Sequence, residues 1–301
     1  MHMRHVFALL VAIAGVGCSA RWVPDQEAWS LDGRPLIRPE IAPDRLARLQ
    51  SNLAEAQSAY VIDPSEENTI WVGRRRGYLG QFRKAVEVYT EGLNRYPESY
   101  RLLRHRGHRW ITLRRFDLAA RDLERAAALC VNAPDAPEPD GEPQGPPRST
   151  DRSNIFYHLG LAQYLRGRFA AAEQSFAERR AIHPRNDDML VSETHWRVLA
   201  LVRLGREAEA RRLLEEITPA LDVLENGNYH RLCLFYKGEL SRDAVLGDGP
   251  LEASTAYGVA AWLGAHGQRE QADALKRRII AETNWAAFGH IAAEADLARG
   301  R

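Results

Sequence analysis

The spacing of apolar and small residues predicts paired helices through most of the chain. Gly73, Gly80, Phe82, Ala85, Tyr89 and Pro97 recur at identical intervals as Gly160, Gly167, Phe169, Ala172, Phe176 and Pro184. Between them, Gly107, Phe116, Ala119, Leu123 and Ala126 stand in the same frame, 34 residues after the first unit. Two looser units follow, Leu201, Gly205, Ala210 and Leu214, then Leu263, Gly267, Ala272 and Ile279. The small residues let two helices approach closely. Phe82, Phe116 and Phe169 put bulk at the start of each second helix, and Pro97 and Pro184 end it. One such pair leaves an apolar face uncovered, so successive pairs must stack.

The flanks fit the same plan. Leu46, Leu49, Leu53, Ala56 and Tyr60 recur at helical spacing up to Pro64, which predicts a lone leading helix. Trp285, Phe288, Ile291, Ala292 and Ala295 form a second stripe, with Glu294, Asp296 and Arg299 off it. That pattern predicts a capping helix with one polar face. An extra helix is expected from Tyr229 to Leu240, followed by a turn at Asp248-Gly249-Pro250.

The shared frame resembles the tetratricopeptide repeat over roughly residues 66–283. The resemblance implies an all-α, right-handed α-solenoid of stacked antiparallel helix pairs. The leading helix and repeats one and two would occupy 43–130, and repeats three to five with the cap 152–301. In that family the first helix of each pair lines a concave groove. Carried onto this chain, repeat one presents Ile70, Trp71, Arg74 and Tyr78, and repeat two Arg101, Arg104, His105, His108 and Thr112. Repeat three presents Asn154, Tyr157, His158, Leu161 and Tyr164. The Lys/Asn pair with which some relatives clamp a peptide carboxylate is absent from these positions.

Charge sharpens the picture. The chain carries 41 basic and 40 acidic residues, a net +1, which argues against a protein that coats nucleic acid. Yet Ile70–Cys130 alone holds 14 basic and 6 acidic residues. The expected groove is therefore basic and aromatic, suited to an acidic protein or peptide partner. Residues 131–151 contain six prolines and five acidic residues against one arginine; such a segment cannot pack a core and is expected to be a mobile surface loop. Arg76 and Arg106 fall where the repeat is normally apolar. If they point inward they need partners, and Asp117 and Asp122 are the candidates.

The first residues read as an address. Arg4 precedes an eleven-residue apolar run from Val6 to Val16, too short to span a bilayer. Gly15-Val16-Gly17-Cys18-Ser19 then resembles a bacterial lipoprotein signal. By that resemblance residues 1–17 are removed and Cys18 carries lipid. Membrane contact would be through this anchor only, with Ser19 favouring the outer membrane. Pro24, Pro35, Pro39 and Pro43 suggest that 18–42 is an extended tether.

No GxSxG elbow, phosphate-cradling glycine loop or HExxH occurs, and no pattern calls for a cofactor. The sequence therefore reads as a non-catalytic adaptor at the cell envelope. Two other readings stay open. One is a subunit that takes a small anionic ligand, a glycan or lipid headgroup, in the groove. The other is a metal-dependent site where His105, His108 and His158 converge. Histidines that hydrogen-bond a ligand would make binding pH-dependent.

Overall fold

Five times along the chain a polar-capped helix runs into a tight turn and a second helix. The computed structural model describes residues 22–139, 147–182 and 186–300. The expected signal at 1–17, Cys18 and the stop at Pro184 lie outside them. A short hairpin, β1 (Gln26–Trp29) and β2 (Pro35–Ile37), precedes the leading helix α1 (Pro43–Ile62). Repeat one is α2 (Glu66–Tyr78) and α3 (Phe82–Arg95), and repeat two is α4 (Tyr100–Thr112) and α5 (Phe116–Cys130). Repeat three is α6 (Asp151–Leu165) and α7 (Phe169–Ile182), and repeat four is α8 (Asp187–Arg203) and α9 (Glu207–Leu214). The insertion forms α10 (Gly227–Lys237) and α11 (Arg242–Leu246). Repeat five is α12 (Ala253–Ala265) and α13 (Arg269–Glu282), and the cap is α14 (Phe288–Ala298). Consecutive helices pack on one another along the row, giving an all-α solenoid of stacked helix pairs.

Local chemistry explains the repeat. Ser65, Ser99, Thr150, Asn186 and Glu252 each accept a backbone N–H in the first turn of the helix they precede. At the other end of each of these helices one hydrogen bond closes the same six-residue turn. It runs from the N–H of Gln81, Arg115, Arg168, Arg206 and Gln268 to the carbonyl of Arg76, Trp110, Gln163, Leu201 and Leu263, at 2.8–2.9 Å. The looser fourth and fifth units therefore share the turn of the first three. The turn needs a positive φ, which glycine supplies at Gly80, Gly167, Gly205 and Gly267; in repeat two Arg114 adopts it instead, at φ 62°.

The small residues act as expected. A Cβ on Gly73 would lie 2.2 Å from the Tyr89 ring, one on Gly107 2.7 Å from Leu123, and one on Gly160 2.6 Å from Phe176. In each pair the first helix presses its glycine onto the bulky residue of the second. Arg106 makes a two-pronged bond to Asp122 at 2.7 and 2.8 Å. Arg76 turns instead to Gln81, and Asp117 pairs with Arg166 of the next repeat.

Two expectations about the ends need correction. Residues 22–42 are not an extended tether. Ala28 and Leu36 of the hairpin are buried against Phe82, Val86, Leu113 and Trp285. Buried Glu27 accepts the N–H of Arg83 (2.9 Å) in the first turn of α3 and pairs with Arg38 (3.0 Å). Prolines end helices but do not prevent a hairpin, and Pro35 stands at the first position of β2. Nor does the polar side of α14 face solvent. Glu294 and Asp296 are buried, the first held by Arg114 of repeat two, the second by Arg203 of repeat four and by Arg299. Leu31 N–H of the hairpin also donates to Glu294, and α14 packs back onto α6. The row of repeats therefore bends until its last helix meets the hairpin and the second repeat.

Candidate functional site

The residues expected in the groove fall into two groups. Ile70, Thr112, Leu161 and Tyr164 belong to neither; they are buried between helices and form core. The first group gathers around one carboxylate. Glu138, in the Pro-rich segment, is 6% exposed. Its Oε1 lies 3.1 Å from Arg104 and 3.5 Å from Arg74, and its Oε2 accepts the Asn154 amide at 2.8 Å. His105 Nε2 approaches Oε1 to 3.8 Å. The expectation of a mobile surface loop at 131–151 is thus corrected at Glu138, which is buried and held by the helices. A backbone bridge between Pro137 and Thr150 brings Glu138 onto the basic face. The acidic surplus of this segment and the basic surplus of repeats one and two are complementary, a signal visible in the charge distribution.

The rim is built from α2 and α4. Trp71 donates its indole N–H to Glu67 (2.8 Å) and lies under Arg74 and Arg75, with guanidinium carbons 4.6 and 4.9 Å from the ring centre. Arg74 also reaches Tyr78 Oη at 3.3 Å. Arg101 pairs with Glu67 at 2.6 Å and Asp151 at 3.2 Å. Burial pushes the Asp151 carboxyl up to about 6 despite the Arg101 charge.

Behind Glu138 lies a cavity of about 120 Å³, walled by Gly73, Arg74, Tyr78, Tyr89, Arg104, His105, His108 and Arg109. The His105 ring stacks on Tyr89, with centres 5.6 Å apart. Arg104 donates to His105 Nδ1 (2.8 Å) and Arg109 to His108 Nε2 (2.6 Å), which places each imidazole proton on the other nitrogen. Burial, with the nearby arginines, holds the pKa of His105 and of His108 well below the usual imidazole value. Burial beside Arg104 and Arg74 pulls the Arg109 guanidinium down to about 10.

The second group is aromatic. His108 and His158 rings lie 4.4 Å apart, and Phe288 of α14 sits 5.3 Å from His108. His158 donates Nδ1–H to the Asn154 carbonyl at 2.7 Å, and its pKa too is held well below 6.5 by burial. Tyr157 accepts the Trp196 indole N–H at 3.1 Å, with Arg179 4.8 Å above its ring. These histidines are neutral at neutral pH, so the expected pH dependence of binding moves to the acid side. His105 turns to Tyr89 while His108 and His158 turn to Phe288. Among the described residues no three His, Cys, Asp or Glu side chains group as metal ligands. Cys130 and Cys233 are buried, free thiols.

Comparison with known proteins adds little to this geometry. No family model and no curated protein matches the chain. Among solved structures, a tetratricopeptide repeat protein from Parabacteroides merdae is similar at 18% identity and a TM-score of 0.45, over 79% of this chain and 80% of that one. MamA MSR-1 C2 is similar at 18% identity and a TM-score of 0.41, over 57% of this chain and 86% of that one. The fold described above rests on its own hydrogen bonds and packing.

Proposed function

We propose that the chain is a non-catalytic interaction scaffold of the bacterial cell envelope, docking an acidic segment of a protein partner on the basic, aromatic face of its first three repeats. One observation carries this reading. The chain's own acidic segment places Glu138 on Arg74, Arg104 and Asn154, three residues that the repeat frame assigns to the binding face. A partner carboxylate would use the same forks, and the Trp71–Arg74–Arg75 stack at the rim offers an anchor. Lipid on Cys18 would hold this scaffold at the membrane.

The test is a photo-crosslinking phenylalanine analogue at Trp71 in the native host, with adducts identified by mass spectrometry. One recurring envelope protein, lost in R101E/R104E, is the expected result. Adducts with no recurring partner would overturn the reading. Replacement C18A should release the protein from the membrane fraction. A second reading, a small anionic ligand, is favoured by the cavity behind Glu138.

A further inference from the structure

That cavity holds more cation than the chain supplies anion. Arg74, Arg104 and Arg109 wall it, and Glu138 is the one carboxylate among its lining residues. Glu138 serves Arg104 and Arg74. Arg109 has no carboxylate within ion-pair distance among the described residues, and its hydrogen-bond partner is a neutral imidazole, His108. Arg104 is 8% exposed, and its Nε has no partner among the described residues. A buried guanidinium donor without an acceptor is strongly unfavourable, and three like charges around one cavity add repulsion.

Size narrows the ligand. About 120 Å³ lies well below the roughly 300 Å³ at which pockets begin to take drug-sized molecules. A sugar ring with its substituents or a lipid headgroup with its glycerol would not fit inside. A single carboxylate or phosphate group would, and both match the planar forks of arginine. The Tyr89 hydroxyl and the His105 Nε2–H add neutral donors, which bind an anion without adding charge.

We propose that this cavity binds one small oxyanion, a carboxylate or a phosphate group, between Arg104 and Arg109, and that Glu138 is its competitor within the chain. This deepens the small-ligand reading and needs no protein partner. Glu138 reaches the mouth from a segment tied down by its N–H to the Ser149 carbonyl (3.0 Å) and by Asn154. An entering anion must share Arg104 with it or displace it.

The experiment is calorimetric titration of the full purified chain with inorganic phosphate, with acetate, and with a short oligoglutamate peptide. The expected result is one phosphate or acetate per chain, bound at least tenfold more tightly by E138Q. R109Q should lose binding, and R109K, which keeps the charge without the fork, should weaken it at least tenfold. R278Q, which removes an exposed arginine far from the cavity, should leave binding unchanged. Circular dichroism of each variant checks that it is folded. If R109Q does not fold, E138Q and R109K still decide. Equal affinity in wild type and E138Q, or no binding of either free anion, would overturn the proposal. Binding of oligoglutamate alone would also overturn it while leaving the docking reading intact. Phosphate binding without any crosslinked partner would keep the cavity and remove the docking reading.

Discussion

Repeats one and two share their helix pair and turn with repeats three to five, yet the two halves fill their inner sides differently. In the later half the space is closed by rings. Trp196 is 1% exposed and packs edge-on against Tyr164, with centres 5.3 Å apart, and stacks near Tyr257. Polar tips meet there: Tyr257 donates to Tyr164 (2.9 Å), and Tyr236 bonds His195 Nδ1 (3.0 Å), while His195 Nε2 has no partner among the described residues. In the earlier half Arg104 and His105 take the repeat positions of Tyr257 and Trp196, Arg74 and Arg109 stand beside them, and a cavity remains. The scaffold thus tolerates either filling, because its turns and glycine contacts are set by the pairs themselves. The aromatic half is filled by rings, and the basic half leaves charged side chains around a cavity.

Acid should test this contrast most strongly. His105, His108, His158, His195 and His290 all have folded pKa values depressed by burial, to about 3 for His195 and about 4 for His290. Below pH 6.5 the unfolded chain takes protons that the folded chain refuses, so stability present above 6.5 is lost as pH falls. Burial raises Glu193 to about 7 and Asp151 to about 6, which works the other way over the same range. Five imidazoles outnumber two carboxyls, so unfolding takes up protons as pH falls below 6.5 and stability falls with it. Urea unfolding at pH 7 and pH 5 should show a large fall in stability, and H158Q should reduce it.

Among single substitutions, Trp196→Ala should cost about 3–5 kcal/mol, since a large side chain leaves a closed core. Urea midpoints read it directly. Next comes Glu294→Gln, expected to cost about 3 kcal/mol because it strands the buried charge of Arg114. Matched glycines sharpen the comparison. Gly160→Ala should cost about 1–3 kcal/mol, because Phe176 is held between Tyr157 and Trp196. Gly73→Ala should cost less, because Tyr89 borders the cavity. The smallest effect has the opposite sign. Arg109→Met should stabilise by at most about 1 kcal/mol, since it removes a half-buried cation that lacks a carboxylate and rests on the Phe82 ring and His108. A loss of several kcal/mol there would erase the distinction between the halves.

Much of the solenoid was legible in the sequence. Gly73, Gly107 and Gly160 each meet their partner, Tyr89, Leu123 or Phe176, within one helix pair, so a local pattern encodes a local contact. Arg106 and Asp122, within one repeat, were readable for the same reason. The site was only half legible. The frame placed Arg74, Arg104, His105 and Asn154 on one face, but their shared partner Glu138 arrives from a segment with no periodicity. Glu27 and Glu294 were missed likewise. Each is a single carboxylate whose arginine or backbone partner lies on a distant element, and no spacing rule links them. Periodicity reports apolar faces; it says nothing about which buried charge meets which.

Arg114 has a further consequence. In an open row of repeats each unit touches only its neighbours, and the ends fray independently. Here Arg114 takes the turn position that glycine holds elsewhere and uses its reach to grip Glu294, which also holds Leu31 of the hairpin. The first described strands, the second repeat and the last helix are thereby joined into a closed circuit. Mechanically the molecule is a clasped bracelet rather than a spring. Pulled from its ends, it should resist without lengthening until the clasp opens, and only then yield repeat by repeat.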